Sequence, residues 1–252
     1  NITLLHDWVL FLDADEIALN APSLSYPIFI SESLDSTNAE ALRLITAGST
    51  APFLVLAERQ TAGRGRRGRQ WVSPFAQNIY YSLVLRIEDG LRQLDGLSLV
   101  VGLAVMRALQ ASGVHRAGLK WPNDVLVNGK KIAGILLELV GDPADICHVV
   151  VGIGINVNMQ EVAGIDQQWT SVQLEAGAPV DRNQMVAQLG AQLQHYLECH
   201  RESGFEALRE EWEQNHLWQG CLVSLIAGAN QIHGRVLGID GRGALRLNVA
   251  GV

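Results

Sequence analysis

Hydrophobic and polar positions divide the chain into two textures. Up to about residue 217, long apolar runs alternate with amphipathic stretches; beyond it, short strand-like runs are separated by Gly-rich turns. Residues 53–57 and 149–157 are nearly continuous apolar runs of strand length, as fully buried strands are. Residues 26–31 predict a short strand, and 78–87 alternate in part and are β-like. Residues 125–127 and 132–139 flank Asn128-Gly129, the strongest short-range hairpin signal. Thr37 with Glu40 three residues later has the pattern of a capping box and opens a helix that Gly48 ends. Residues 97–111 predict an apolar helix ending near Gly113. Asp181 with Gln184 opens an amphipathic helix through Gln194, with helical character continuing to Trp212. The strands predicted at 221–226, 231–237 and 244–249 suggest a small β-barrel appended to a mixed domain. Hairpins mixed with helices do not support a regular βαβ alternation, so the expected class is α+β. Three segments follow: a linker-like lead-in (1–27), a main domain (28–215) and a small C-terminal domain (216–252).

Composition narrows the function classes. Of 252 residues, 48% are hydrophobic and 18% charged, enough for a sizeable core and too apolar for global disorder. The net charge of −7 argues against a broad nucleic-acid footprint. The apolar stretch between Asp95 and Arg107 is too short to span a bilayer, and the uncharged stretch before Arg235 is broken by polar residues. Cys147, Cys199 and Cys221 are widely spaced, odd in number and without a CxxC pair, which favours a reducing, cytoplasmic setting. His195 and His200 do not share a helix face, so no metal cluster is expected. The chain opens at Asn1 without Met and closes just after the strand-like 244–249. The expectation is a cut N-terminus and an incomplete barrel.

The segment from Gly63 to Arg69 reads Gly-Arg-Gly-Arg-Arg-Gly-Arg and holds four of the 19 basic residues. Glycine lets backbone approach an anion closely, and arginine presents a fork that matches phosphate or carboxylate oxygens. The segment satisfies G-x-G-x-x-G, but a dinucleotide site needs a helix next, and Gln70-Trp71-Val72-Ser73-Pro74 does not open one. A Walker A loop fails for want of GK[ST]. A solvated basic loop and a nucleic-acid contact remain as the other readings, the second weakened by the acidic remainder.

Lys120-Trp121-Pro122-Asn123-Asp124 leads into the predicted hairpin, and Lys130-Lys131-Ile132-Ala133-Gly134 returns from it. Lys131 can therefore come back toward Asp124, and Lys120, Asp124 and Lys131 could line one polar site in an apolar sheet. The alternative is an ordinary salt-bridged hairpin. Apolar flanks favour burial, where paired Lys and Asp are costly and more often functional. Gly152-Ile153-Gly154-Ile155-Asn156 ends a buried strand, where glycine permits either close ligand approach or tight packing.

Together, Asp35-Ser36-Thr37-Asn38, residues 60–71, 120–124, 131–138 and 152–156 resemble a biotin–protein ligase. That family includes the catalytic part of the bifunctional bacterial biotin ligase and biotin-operon repressor. Order and separations match over residues 28–160, and the weaker helical and β parts extend the match to the end. Each motif alone is moderately specific; the ordered set is highly specific. The resemblance implies a mixed sheet related to class II aminoacyl-tRNA synthetases, followed by a small SH3-like barrel. It implies that biotin and MgATP form biotinyl-5′-AMP, and that biotin then passes to one lysine of a biotin carboxyl carrier domain.

By the same resemblance, Ser36, Thr37 and Gln60 stand at the biotin head, with Asn38 of that motif among the binding residues. Arg64, Gly65 and Arg66 belong to a loop closing over the adenylate. Lys131 contacts the carboxylate and phosphate and ranks first among catalytic residues. Arg66, Asp124 and Lys120 join it, Lys120 and Asn123 supporting the phosphate or metal region and Asp124 facing the arriving lysine. Gly134, Gly154 and Asn156 shape the pocket, and Trp169 helps cover adenine. Mg²⁺ enters with ATP, and no protein metal ligands are expected.

The family's repressor form also carries an N-terminal winged-helix domain, and residues 8–19 resemble the linker that follows it. The parent protein is then either a repressor-type ligase or a single-function one. DNA binding by this chain is not expected, and a homodimer is compatible with the resemblance. The competing readings are a lipoate ligase on the same scaffold, a non-catalytic biotin-sensing regulator, and a nicotinamide enzyme disfavoured by the missing helix.

Overall fold

A computed structural model describes residues 10–88, 90–142, 146–227 and 230–249. The lead-in is not merely a linker. It carries α1 (Ala14–Asn20), capped by the Asp13 carboxylate, which accepts from the Glu16 amide. Ile17 buries this helix against the core. Residues 1–9, which include the first two of the linker-like stretch 8–19, lie outside the described residues.

The strands β1 (Ile28–Ser31), β2 (Phe53–Ala57), β3 (Ile79–Ile87), β4 (Gly118–Lys120), β5 (Asp124–Val127), β6 (Lys130–Val140) and β7 (Cys147–Ile155) form one seven-stranded sheet, in the order β1-β2-β3-β7-β6-β5-β4. Only β1 and β2 run parallel; the other neighbours are antiparallel. The hairpin between β5 and β6 turns at Asn128 and Gly129, both with positive φ (50° and 79°), the backbone a two-residue turn of this hand requires. β4 was not predicted: three residues are too few for a periodic signal.

The sheet's two faces are unlike. One is covered by α3 (Leu97–Ala111) and by α5 (Arg182–Ser203), which packs on α3 and α1. Alternate residues Val149, Val151, Ile153 and Ile155 of β7 point into this core and are almost fully buried. The other face is only partly covered, by α2 (Thr37–Thr46), over a small cluster of Ala41, Phe53, Val55, Val84 and Val150. The uncovered remainder of this face carries the site.

The capping-box expectation needs correction. Ser36, not Thr37, is the N-cap, and its hydroxyl makes no capping bond. Thr37 is instead the first helical residue, with its hydroxyl turned to other partners described below. A short helix, α4 (Val172–Ala176), follows β7 and was not predicted. The long helix predicted to Trp212 breaks at Gly204 (φ 72°), leaving α5 and then α6 (Glu206–Gln214). Beyond it, β8 (Leu222–Ala227), β9 (Asn230–Ile239) and β10 (Leu245–Asn248) form a three-stranded antiparallel sheet, with β9 central. Closure into a barrel is not seen among the described residues. This sheet is tied to the larger one. Leu119 exchanges backbone hydrogen bonds with Asn215 and Leu217, and the Trp121 indole donates to the Gly243 carbonyl at 3.0 Å.

Candidate active site

The floor of the site is made by absence of side chains. Register places Gly134 of β6 beside Gly154 of β7, and Gly152 beside Leu136. A Cβ on Gly154 would stand 2.5 Å from the Trp71 ring, one on Gly134 about 3.0 Å from that ring and the Lys131 ammonium, and one on Gly152 would clash with the Asn38 amide. These glycines are therefore needed for close approach. In this state the Trp71 indole lies on the floor, its Nε1 buried without a partner. The cavity left is only about 50 Å³. Small-molecule sites are commonly ~300–1,000 Å³, so a ligand resting on these glycines requires the ring to move.

At one end of the cavity the N-terminus of α2 meets β3 and Gln60. Thr37 donates its amide to Gln60 Oε1 at 2.9 Å, and its Oγ1 lies 2.8 Å from Ser82 Oγ. Ser82 Oγ is also 2.6 Å from Asn38 Oδ1. Ser36, Thr37, Asn38 and Ser82 are all buried. Every one is a neutral hydrogen-bonding group, so this end suits an uncharged polar ligand group.

The opposite end is cationic. Lys131 Nζ is 2.8 Å from Asp124 Oδ1, both side chains 17% exposed, and stands 5.3 Å from the Trp71 ring centroid. Asp124 lies opposite both Lys120 and Gly134 in the strand register. Lys120 makes a looser contact with the same carboxylate, at 3.9 Å, and lies over the Trp218 ring at 5.2 Å. One carboxylate thus serves two lysines, leaving excess positive charge.

The basic loop arches over the cavity between these ends. Arg64 pairs with Glu138 at 3.1 Å, and Arg66 donates to Asn123 Oδ1 at 3.0 Å. Gly65 donates its amide to the Arg69 carbonyl, and Arg67 adopts a positive φ of 57°, which folds the loop back on itself. The peptide leaving it returns through Trp71, whose amide donates to Gly63.

Most of the predicted residues meet at this cavity: Ser36, Thr37, Asn38 and Gln60, then Arg64, Gly65 and Arg66, and Lys131, Gly134 and Gly154. Asn123 lines it as well, and Asp124 touches it through Lys131. Lys120 stands further out, on the side of the C-terminal segment. Asn156 does not reach the cavity. It is buried behind Lys131, donating to the Thr170 carbonyl at 3.0 Å, and so holds backbone rather than wall. Trp169 is half-buried beside the Lys131 backbone and is not among the lining residues.

Three contributors carried no assigned role in the sequence reading. Trp71 and Glu138 lay inside quoted motifs, while Ser82 sat in a partly alternating strand with nothing local to mark it. Among the described residues, no group of three or more His, Cys, Asp or Glu is placed to hold a metal ion. His200 instead hydrogen-bonds the Asp95 carbonyl at 2.8 Å.

A mixed sheet with a glycine floor, a neutral hydrogen-bonding end, a cationic end and a basic loop between them defines a ligase-type site. Its two ends are chemically complementary to an uncharged polar head and an anionic tail, and room for them opens when the Trp71 ring leaves the floor. Residues 30–156 match the model of the Biotin/lipoate A/B protein ligase family, and the chain belongs to that family. It is 39% identical over 221 residues to the bifunctional ligase/repressor BirA of Escherichia coli, covering 87% of this chain and 68% of that protein. It is 41% identical over 222 residues to the biotin–[acetyl-CoA-carboxylase] ligase of Paracoccus denitrificans, covering 84% and 90%. The structure of biotin protein ligase from Aquifex aeolicus in complex with biotin and ATP superposes with a TM-score of 0.77 at 30% identity, covering 89% of this chain and 92% of that one.

Proposed function

We propose that this chain is an ATP-dependent biotin–protein ligase. It joins the biotin carboxylate to the α-phosphate of ATP, releasing pyrophosphate, and then transfers the biotinyl group to a lysine of a biotin carboxyl carrier domain, releasing AMP. The observation that carries this reading is the pairing, across one glycine floor, of a neutral hydrogen-bonding pocket with the Lys131–Asp124 pair.

The chemistry assigns the parts. The ureido group of biotin is uncharged and rich in donors and acceptors, which the Thr37, Ser82, Asn38 and Gln60 groups complement. When the carboxylate attacks a phosphate, two anions approach. The Lys131 ammonium neutralises the developing charge, with Arg66 and Lys120 adding positive potential from the loop and the outer edge. Preorganised donors of this kind are commonly worth ~2.7–4 kcal/mol each. Mg²⁺ belongs with ATP as part of the substrate. In the second step the carrier lysine arrives protonated and must lose a proton to attack. Asp124 is the carboxylate placed to accept or orient it. Arg64 and Gly65 cover the adenylate and keep water from the mixed anhydride. Trp169 covers adenine if the nucleotide extends past Lys131, which is consistent with their shared backbone bridge.

Residues 28–215 form the catalytic domain in this reading. The sheet of β8, β9 and β10 belongs to an SH3-like barrel from residue 216 onward, an assignment supported by three short antiparallel strands with a bulge at Arg246/Leu247. A cytoplasmic setting suits an ATP consumer with three unpaired cysteines. Among the described residues no helix is long and apolar enough to cross a membrane.

The test is direct. The chain is incubated with ATP, Mg²⁺, biotin and a carrier domain, and the carrier is weighed. A gain of one biotinyl group is expected. Biotin binding without pyrophosphate exchange or carrier labelling would point to a regulator, and lipoate-dependent exchange alone would overturn the proposal.

A further inference from the structure

We infer that Glu138 is a positioning residue that locks the basic loop to the pocket for the ligand head. The inference rests on the ligase reading only for the identity of that ligand. A single chain of hydrogen bonds runs from the start of the loop, under the cavity, to Arg64 of the loop. Gln60, at the loop's start, accepts from Thr37. Thr37 Oγ1 and Ser82 Oγ are 2.8 Å apart, and Ser82 Oγ and Asn38 Oδ1 2.6 Å. Asn38 Nδ2 donates to Glu138 Oε2 at 2.6 Å, and Arg64 Nη2 reaches the same oxygen at 3.1 Å.

The directions follow from donor chemistry. An ionised carboxylate only accepts, so the Asn38 NH₂ must face Glu138 and its carbonyl must face Ser82. Ser82 has one proton. Giving it to Asn38 leaves Ser82 to accept from Thr37. Each member then has one partner on either side, and the chain closes on the loop at Arg64. Glu138 is the only ionised member facing Arg64 in this chain, so its charge is what draws the loop down.

A ligand head that takes hydrogen bonds from Thr37 or Asn38 perturbs the same chain that holds Arg64. Occupancy of the head pocket and closure of the loop are thereby linked through Glu138. Such networks exceed the sum of their pairs when fully satisfied, and a double-mutant cycle measures that excess.

The experiment compares the wild-type chain with Glu138→Leu, Arg64→Gln and the double variant. The first readout is the rate of trypsin cleavage within residues 64–69 of the ligand-free protein. Glu138→Leu is expected to speed cleavage roughly tenfold, equivalent to ~1.4 kcal/mol of lost closure. Arg64 is itself a cleavage point, so rates are compared at the remaining arginines. The second readout is biotin adenylation. KM for biotin should rise about tenfold with a smaller fall in kcat, and the double variant should be no worse than Glu138→Leu alone. Unchanged cleavage, or additive losses in the double variant, would overturn the inference. If Glu138→Leu does not fold, Glu138→Gln keeps the shape, removes the charge and is judged by the same criteria. The cleavage arm uses no ligand, so it stands or falls separately from biotin ligation by the wild type.

Discussion

The Glu58–Arg182 and Lys131–Asp124 pairs both join opposite charges, the first across the fold and the second across a hairpin, and they are built for opposite ends. Glu58 and Arg182 are 2.6 Å apart with side chains only 4% and 2% exposed. Their remaining valences are taken. Glu58 Oε1 accepts from the Leu12 amide, and Arg182 donates to the Asn78 and Leu10 carbonyls. The lead-in before α1 is thus bolted to the end of β2, two residues before Gln60 opens the site. Lys131, in contrast, lines a cavity, and beyond its bond to Asp124 the ammonium has an aromatic face and open space where further acceptors would be. A saturated pair fixes structure; an under-committed one keeps charge for a substrate.

That contrast breaks most visibly on the buried side. Arg182→Met leaves Glu58 buried without its charge partner, and removing one member of such a pair typically costs ~3–5 kcal/mol. A stability loss of about that size is expected in denaturant unfolding, with residues 10–12 gaining hydrogen exchange. If stability were unchanged, the pair would not be the bolt described.

Lys131→Ala should do the reverse. It removes a half-buried ammonium whose neighbours can rehydrate, so unfolding should shift little. Adenylate formation should fall by about 10²–10³-fold, the scale of a lost preorganised donor. Near-normal pyrophosphate exchange by a folded variant would remove Lys131 from the chemistry.

Asp124→Asn sharpens the division within the site itself. The amide keeps the shape but loses the charge that orients an arriving lysine. Transfer from preformed biotinyl-5′-AMP should slow by at least tenfold, more than adenylation does, on the scale at which general bases contribute. Equal slowing of both steps would assign Asp124 to holding Lys131 alone.

The two pairs also differ in how far sequence reveals them. Lys131 and Asp124 stand on a hairpin with an Asn-Gly turn, seven residues apart, so local pattern alone brings them together. The glycine floor was legible only in part: Gly152 and Gly154 interrupt an apolar strand, which sequence alone reads as close ligand approach or as tight packing, and Gly134 was marked by the family resemblance. Glu58 and Arg182 are 124 residues apart, and nothing near either one marks a buried charge. Ser82 was equally silent, and Glu138, though inside a quoted motif, carried no role there, since each becomes polar machinery only when α2 delivers Asn38 between them. Thr37 misled for a related reason: its spacing to Glu40 is that of a helix cap, yet the tertiary partners Gln60 and Ser82 take its hydrogen-bonding groups. The α1 signal was present, Asp13 followed three residues later by Glu16, but was lost in a stretch read as linker.

A third pair, fully on the surface, sets the lower limit of the comparison. Arg43 forks onto Asp35 at 2.7 and 3.0 Å just ahead of α2, with both side chains about half exposed at 52% and 48%. The guanidinium hydrogen bonds, with the Ser36 amide assisting, hold the Asp35 carboxyl at about 2, below its usual 3.8. A depressed carboxyl pKa contributes stability that is present above the unfolded value and lost as pH falls toward the folded one. The contribution should therefore fade between about pH 4 and pH 2. Because water and salt screen an exposed pair, the effect on global unfolding should be slight. Arg43→Gln should return the Asp35 titration, followed by carboxyl NMR, toward the ordinary carboxylate range while barely moving the unfolding midpoint at neutral pH. A large neutral-pH destabilisation would mean that this surface pair holds the start of α2 and its Thr37-Asn38 corner, and is not a screened ornament of the surface.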